Sequence, residues 1–152
     1  MNLEMGLGNL ACCGYSTQCI KDKSPASYDW RGLRYEWHPT RWITGHTAFD
    51  VESQHTPPPL VLIPQAYSLT EFLAAWTQAE VLSKLFGTPI LHWIRTKRIK
   101  TPPLGVVVPF MEGSHPCWTF TDFWGERSLF FTCGWRLPTD SIQIYHPSHH
   151  QR

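Results

Sequence analysis

Nine consecutive residues, His92-Trp93-Ile94-Arg95-Thr96-Lys97-Arg98-Ile99-Lys100, hold the densest chemistry in the chain, with four cations within the six positions 95–100. No acid lies between Glu80 and Glu112, while Lys84 adds a fifth positive charge to that window. Cations at this density grip phosphates or carboxylates, and an aromatic beside them stacks on a base or another flat ring. Read as a strand, 90–100 places Trp93, Arg95, Lys97 and Ile99 on one face and His92, Ile94, Thr96, Arg98 and Lys100 on the other. This predicts a surface for an acidic partner, nucleic acid or protein, with Arg95, Lys97, Arg98 and Lys100 as charge contacts and Trp93 as the stacking ring. The same charges also suit an edge strand guarded against aggregation.

A second group is Glu36, His38, Arg41 and His46, all within one aromatic-rich stretch. Carboxylate, imidazole and guanidinium together serve acid–base work or anchor a polar ligand, provided the fold converges them in a cleft. They are the polar contacts of an alternative reading, a small enzyme or a ligand-binding barrel with an aromatic-lined pocket. Other signals fall away on spacing. Gly6-x-Gly8-x-x-Ala11 lacks the preceding strand that a dinucleotide fingerprint requires. Cys12, Cys13 and Cys19 do not form paired zinc knuckles, and His146, His149 and His150 fall in a polar tail. His115 and Cys117 stand about 7 Å apart on a strand, too far for a nucleophile–base pair. No nucleophile elbow, zinc-protease or phosphate-loop motif is present, so no metal or cofactor is expected and the balance leans away from an enzyme.

The elements that must position these groups are legible in places. Ser68-Leu-Thr-Glu71 is a capping box, and Leu69, Phe72, Leu73, Trp76, Ala79, Leu82, Leu85 and Phe86 recur at helical spacing. Gly87 supplies a left-handed cap and Pro89 forbids continuation, which predicts a helix over 69–86. Period-two patterns mark strands around Tyr28–Thr44, Thr47–Ser53, Leu60–Ile63, Leu104–Phe110 and Ile142–Tyr145. Pro109 makes its strand an edge. Cys117 to Trp135 reads as a hairpin about Gly125, pairing Cys117 with Cys133, Phe120 with Phe130 and Thr121 with Leu129. Directly opposed cysteines could bridge in an oxidising setting. The expected fold is α+β: a mainly antiparallel sheet of five or more strands, open or barrel-like, packed against one main helix. Residues 1–27 read as a poorly structured segment, 28–146 as a single α+β domain, and 147–152 as a polar tail.

Composition bounds the rest. With 152 residues, 42% apolar and 16% charged, the chain can build a core without disulfides or metals. A net charge of +1 gives no global pull toward nucleic acid or membrane. The longest apolar runs are strand-sized, so no membrane partner is expected. An odd number of cysteines and an acid at position 4 point to a reducing, cytoplasmic setting. Eight tryptophans exceed what a core this size needs, and one or two are expected at the surface. The leading expectation is a binding or accessory module for an acidic partner. A structural subunit of a larger assembly, or a homo-oligomer, is the remaining class.

Overall fold

The computed structural model describes residues 1–15, 24–55, 68–96 and 100–138. Seven strands and two helices follow one another: β1 (Gly8–Gly14), β2 (Ala26–Tyr28), β3 (Arg34–Pro39), β4 (His46–Glu52), α1 (Leu69–Phe86), α2 (Ile90–Thr96), β5 (Val106–Glu112), β6 (His115–Trp124) and β7 (Leu129–Arg136). The strands divide into two antiparallel sheets, one ordered β1-β3-β2 and one ordered β4-β7-β6-β5. The class is therefore α+β with one main helix against antiparallel strands, and the described strands close no barrel.

α1 forms over the span its sequence predicts. The Ser68 hydroxyl accepts the Glu71 amide at 3.1 Å, and Gly87 turns left-handed at φ 67° while its amide bonds the Ser83 carbonyl. The helix packs on β7, β4 and β6. Phe72, Leu73, Ala75, Ala79, Leu82 and Leu85 fill the space against Ala48, Cys117 and Phe130. A polar seam runs through this apolar contact. Gln78 Nε2 donates to Thr119 Oγ1 at 3.1 Å, Thr132 Oγ1 donates to Thr77 Oγ1 at 3.0 Å, and Thr121 and Thr132 share a hydroxyl bond at 2.8 Å. All five side chains are buried, so the bonds fix how the helix lies on the sheet.

The other face of the larger sheet meets the smaller sheet. Leu10, Tyr35 and Trp37 pack there on Phe49, Phe120, Phe131 and Trp135. Tyr35 meets Trp124 edge-on with centroids 5.6 Å apart, and the Trp37 indole donates to the Leu7 carbonyl at 2.9 Å. Of the eight tryptophans, Trp30 and Trp42 are exposed, as the composition suggested.

Three expectations need correction. Residues 8–14 form a strand paired with β3, where the sequence suggested a poorly structured segment. The residues are small and carry little periodic signal, and β3 supplies the missing pattern by hydrogen bonding. Residues 90–96 form a helix instead of a strand. Pro89 cannot extend α1 but fits the first turn of a new helix, and Ile90, Trp93 and Ile94 bury one helical face against α1. The β6–β7 register is shifted: Phe120 pairs with Cys133, Thr121 with Thr132 and Cys117 with Arg136. The connection is a short 3-10 turn, Gly125–Arg127, followed by Ser128 in the left-handed region at φ 53°, so the turn centres later than Gly125. Cys117 and Cys133 consequently lie on opposite faces of the sheet, in different cores, and do not bridge. The expected strands 60–63 and 142–145 and the tail 147–152 fall outside the described residues.

Candidate functional site

The predicted basic surface changes with the helix. Trp93 is fully buried, and its indole donates to Thr88 Oγ1 at 2.7 Å, so the ring has no face to offer a ligand. Arg95 and Lys100 are exposed, while Lys97 and Arg98 lie outside the described residues. The alternation expected of a strand is replaced by a helical face whose apolar side is spent on α1.

The second predicted group is half assembled. Glu36 is almost wholly buried, with Arg34 Nε donating to it at 2.9 Å and His38 Nε2 3.4 Å from its other oxygen. Ser24 Oγ bonds His38 Nδ1 at 3.0 Å. Arg34 also donates to the Tyr28 hydroxyl at 2.9 Å. This is a locally satisfied ion-pair cluster on β3. Arg41 is exposed in the turn after β3, and His46 opens β4 in the other sheet, opposite Arg136. The four residues do not converge, and neither cavity described below is lined by any of them.

The cavities lie elsewhere. The β2–β3 turn is organised by Asp29, whose Oδ1 accepts the Arg31 amide at 2.8 Å and the Leu33 amide at 3.1 Å. Its Oδ2 accepts Arg31 Nη2 and the Tyr35 hydroxyl, each at 2.9 Å. Burial alone would raise the Asp29 carboxyl, but these bonds outweigh it and hold it below its ordinary value. Burial, followed by the hydrogen bond to Asp29 and then by that carboxylate's charge, pushes the Tyr35 phenol up to about 12, so it remains a donor. The turn thereby presents Trp30 outward. Trp30 packs on His55 with ring centroids 4.4 Å apart, and the Arg31 guanidinium lies 5.8 Å from the Trp30 ring.

Around Asp29, Trp30, Arg31 and His55 lies a polar cleft of about 220 Å³, completed by Ser53 beyond β4 and by Arg127, Ser128 and Leu129 where the β6–β7 turn enters β7. Arg31 is already forked onto Asp29, whereas Arg127 is exposed on the opposite rim. Ser128 also lines a second, more apolar cavity of about 460 Å³. Thr70 and Leu73 from the start of α1, Phe123 and Phe130 from the hairpin, and Leu104 and Gln54 complete its walls. The joint arrangement can hold an anionic or flat group in the cleft and an apolar body beside it.

Sequence reasoning missed this site. Asp29-x-Arg31-Gly32 carries the mark of an Asx turn, which would have flagged the outward Trp30. Nothing local joins it to His55 or Arg127: the packing of β2 on β4 brings His55 to the turn, and the pairing of β4 with β7 brings Arg127. Among the described residues no group of three or more His, Cys, Asp or Glu is placed to hold a metal ion, and no helix is long and apolar enough to cross a membrane. Compared with protein-family models, curated proteins and solved structures, the chain matches none of them.

Proposed function

We propose that this chain is a binding module for a small anionic molecule with an apolar body. The observation that carries this reading is Ser128, which lines both the Trp30–Arg31–His55–Arg127 cleft and the cavity walled by Leu73, Leu104, Phe123 and Phe130. It keeps the expected preference for acidic groups and for cations beside tryptophan, but moves both from residues 93–100 to residues 30, 31, 55 and 127. Arg127 would supply the charge-assisted bond, about 1.5–3 kcal/mol, and Trp30 with His55 a flat wall. Titration calorimetry with octanoate, octyl phosphate and octanol tests it. The anionic probes should bind and octanol should bind at least about tenfold more weakly, the loss of about 1.4 kcal/mol. Arg127→Ala should remove most of that preference. Equal binding of octanol, or no binding of any probe at millimolar concentration, overturns the reading.

A second reading retains the acidic macromolecular partner, supported by the exposure of Arg95 and Lys100 around the end of α2. Its test is salt dependence: association with a polyanion should weaken steeply with added salt and with Arg95→Glu.

A further inference from the structure

Where α1 crosses β4, three carboxyl groups share one ammonium. Asp50 and Glu52 lie on the side of β4 that faces the helix, alternating with Phe49 and Val51, which face the other core. From α1 come Glu80 and, one turn later, Lys84. From β2 comes the uncharged Ser27. From β7 the residues paired with Asp50 and Glu52 are Thr132 and Phe130, also uncharged. Among the described residues the charged groups that act on Asp50 and Glu52 are thus each other, Glu80 and Lys84.

The bonding is lopsided. Asp50 is 7% exposed. Its Oδ1 accepts Ser27 Oγ at 3.1 Å and Lys84 Nζ at 3.4 Å. Its Oδ2 is shut from solvent and has no hydrogen-bond partner among the described residues. Lys84 gives its shortest bond, 2.7 Å, to the Phe49 carbonyl, not to a carboxylate. Three ionised carboxylates would therefore leave two negative charges uncompensated in a mostly buried seam, a costly state unless something neutralises them. The orphaned Asp50 oxygen marks where compensation is missing. Among the described residues no group of three or more His, Cys, Asp or Glu is placed to hold a metal ion, and a proton taken up by any of the three carboxyls removes one of the uncompensated charges.

We propose that the α1–β4 seam is a proton-operated latch, closed while the Asp50–Glu52–Glu80 cluster holds extra protons and loosened when these pass to bulk water. The electrostatics agree with the geometry. Burial, opposed by Lys84 and reinforced by Glu80, pushes Asp50 up to about 7. Burial, then the charges of Asp50 and Glu80, push Glu52 up to about 8. Glu80 is raised by burial. Each proton lost leaves one more negative charge between helix and strand, so the two elements repel and water enters. β4 runs directly into Ser53, Gln54 and His55, which line the two cavities, so a loosened seam reaches their floor. The latch does not depend on what the cavities bind.

The test measures unfolding of the full chain by denaturant at a series of pH values. A carboxyl whose value is raised on folding binds its proton more tightly when folded, so stability falls as pH rises between the unfolded and folded values. The unfolding equilibrium constant should rise about tenfold per pH unit for each retained proton, between about pH 5 and pH 7. Glu52→Gln should flatten part of that slope, and Asp50→Asn a further part. A wild-type slope of zero across neutrality, or an unchanged slope in Glu52→Gln, overturns the proposal. Should Asp50→Asn fail to fold, infrared difference spectra of the native chain decide it. A protonated-carboxyl band at neutral pH that disappears under alkaline conditions supports the latch, and its absence overturns it.

Discussion

Gly134 of β7 faces Val81 of α1 with no room for a methyl group between them, and Leu85 closes the space from the next turn. The helix approaches the sheet here as closely as a bare backbone permits. Gly134→Ala should push α1 outward and cost about 1–3 kcal/mol, read as a lower denaturant midpoint. Val81→Ala in the same chain should recover part of the loss, because the two side chains compete for one space. Additive losses in the double variant would show that the two positions are independent.

The hydroxyl seam gives a second prediction. Thr132 sits between Thr121 and Thr77, and all three are buried. Thr132→Val leaves two buried hydroxyls short of a partner and should destabilise by about 1–3 kcal/mol. Replacing Thr77, Thr121 and Thr132 together by Val should cost less than the sum of the single changes, since no unpaired hydroxyl is left behind. Thermal melts of the four variants distinguish these outcomes.

Acid stability follows from Asp29. Its carboxyl is held below the ordinary value, so it contributes stability above about pH 4 and loses it as pH falls through the folded value. The raised carboxyls of Asp50 and Glu52 act in the opposite sense, with stability falling as pH rises from about 4 toward about 8. The melting temperature should therefore peak in mildly acidic solution. Asp29→Asn should remove the acid limb and leave the alkaline one. A melting temperature that keeps rising to alkaline pH would contradict the raised values of Asp50 and Glu52, and an acid limb unchanged in Asp29→Asn would contradict the lowered value of Asp29.

Cys117 and Cys133 should be inert in the folded chain. Burial pushes the Cys117 thiol up to about 12 and the Cys133 thiol well above its ordinary value, and both are shielded from solvent. A maleimide should modify them only after denaturation, while the half-buried Cys12 and Cys13 react in the native state. Mass spectrometry of native and denatured samples checks this directly. Native labelling of Cys117 at the rate of Cys12 would contradict the packing on the helix-facing side of β6.

How far the sequence anticipates the structure depends on where each signal resides. α1 is legible at both ends because Ser68, Gly87 and Pro89 act through their own backbone neighbours. β4 is legible because its alternation survives between two cores. α2 is not, because the cations after Ile94 give a false period of two, whereas packing on Phe86 selects the spacing of Ile90, Trp93 and Ile94. β1 is hidden for want of large side chains, and the β6–β7 register by a left-handed serine that no propensity marks. The Trp30 cleft is assembled from three separate connections, so only its Asx turn was within reach of local reasoning.

Among the described strands β4 pairs only with β7, although α1, α2, β5 and β6 intervene in the chain. Newly made β4 must therefore leave the ribosome long before the strand that completes it. Until Leu129–Arg136 follows, Phe49 and Val51 have no sheet to stand in, and α1 has only part of its bed. Closing that loop costs chain entropy that only the β4–β7 contacts return, so this pairing is expected to form late in folding. Fragments that stop short of Trp135 should stay soluble only with a chaperone's help, and a stall within β6 would leave the ribosome holding exposed aromatic side chains.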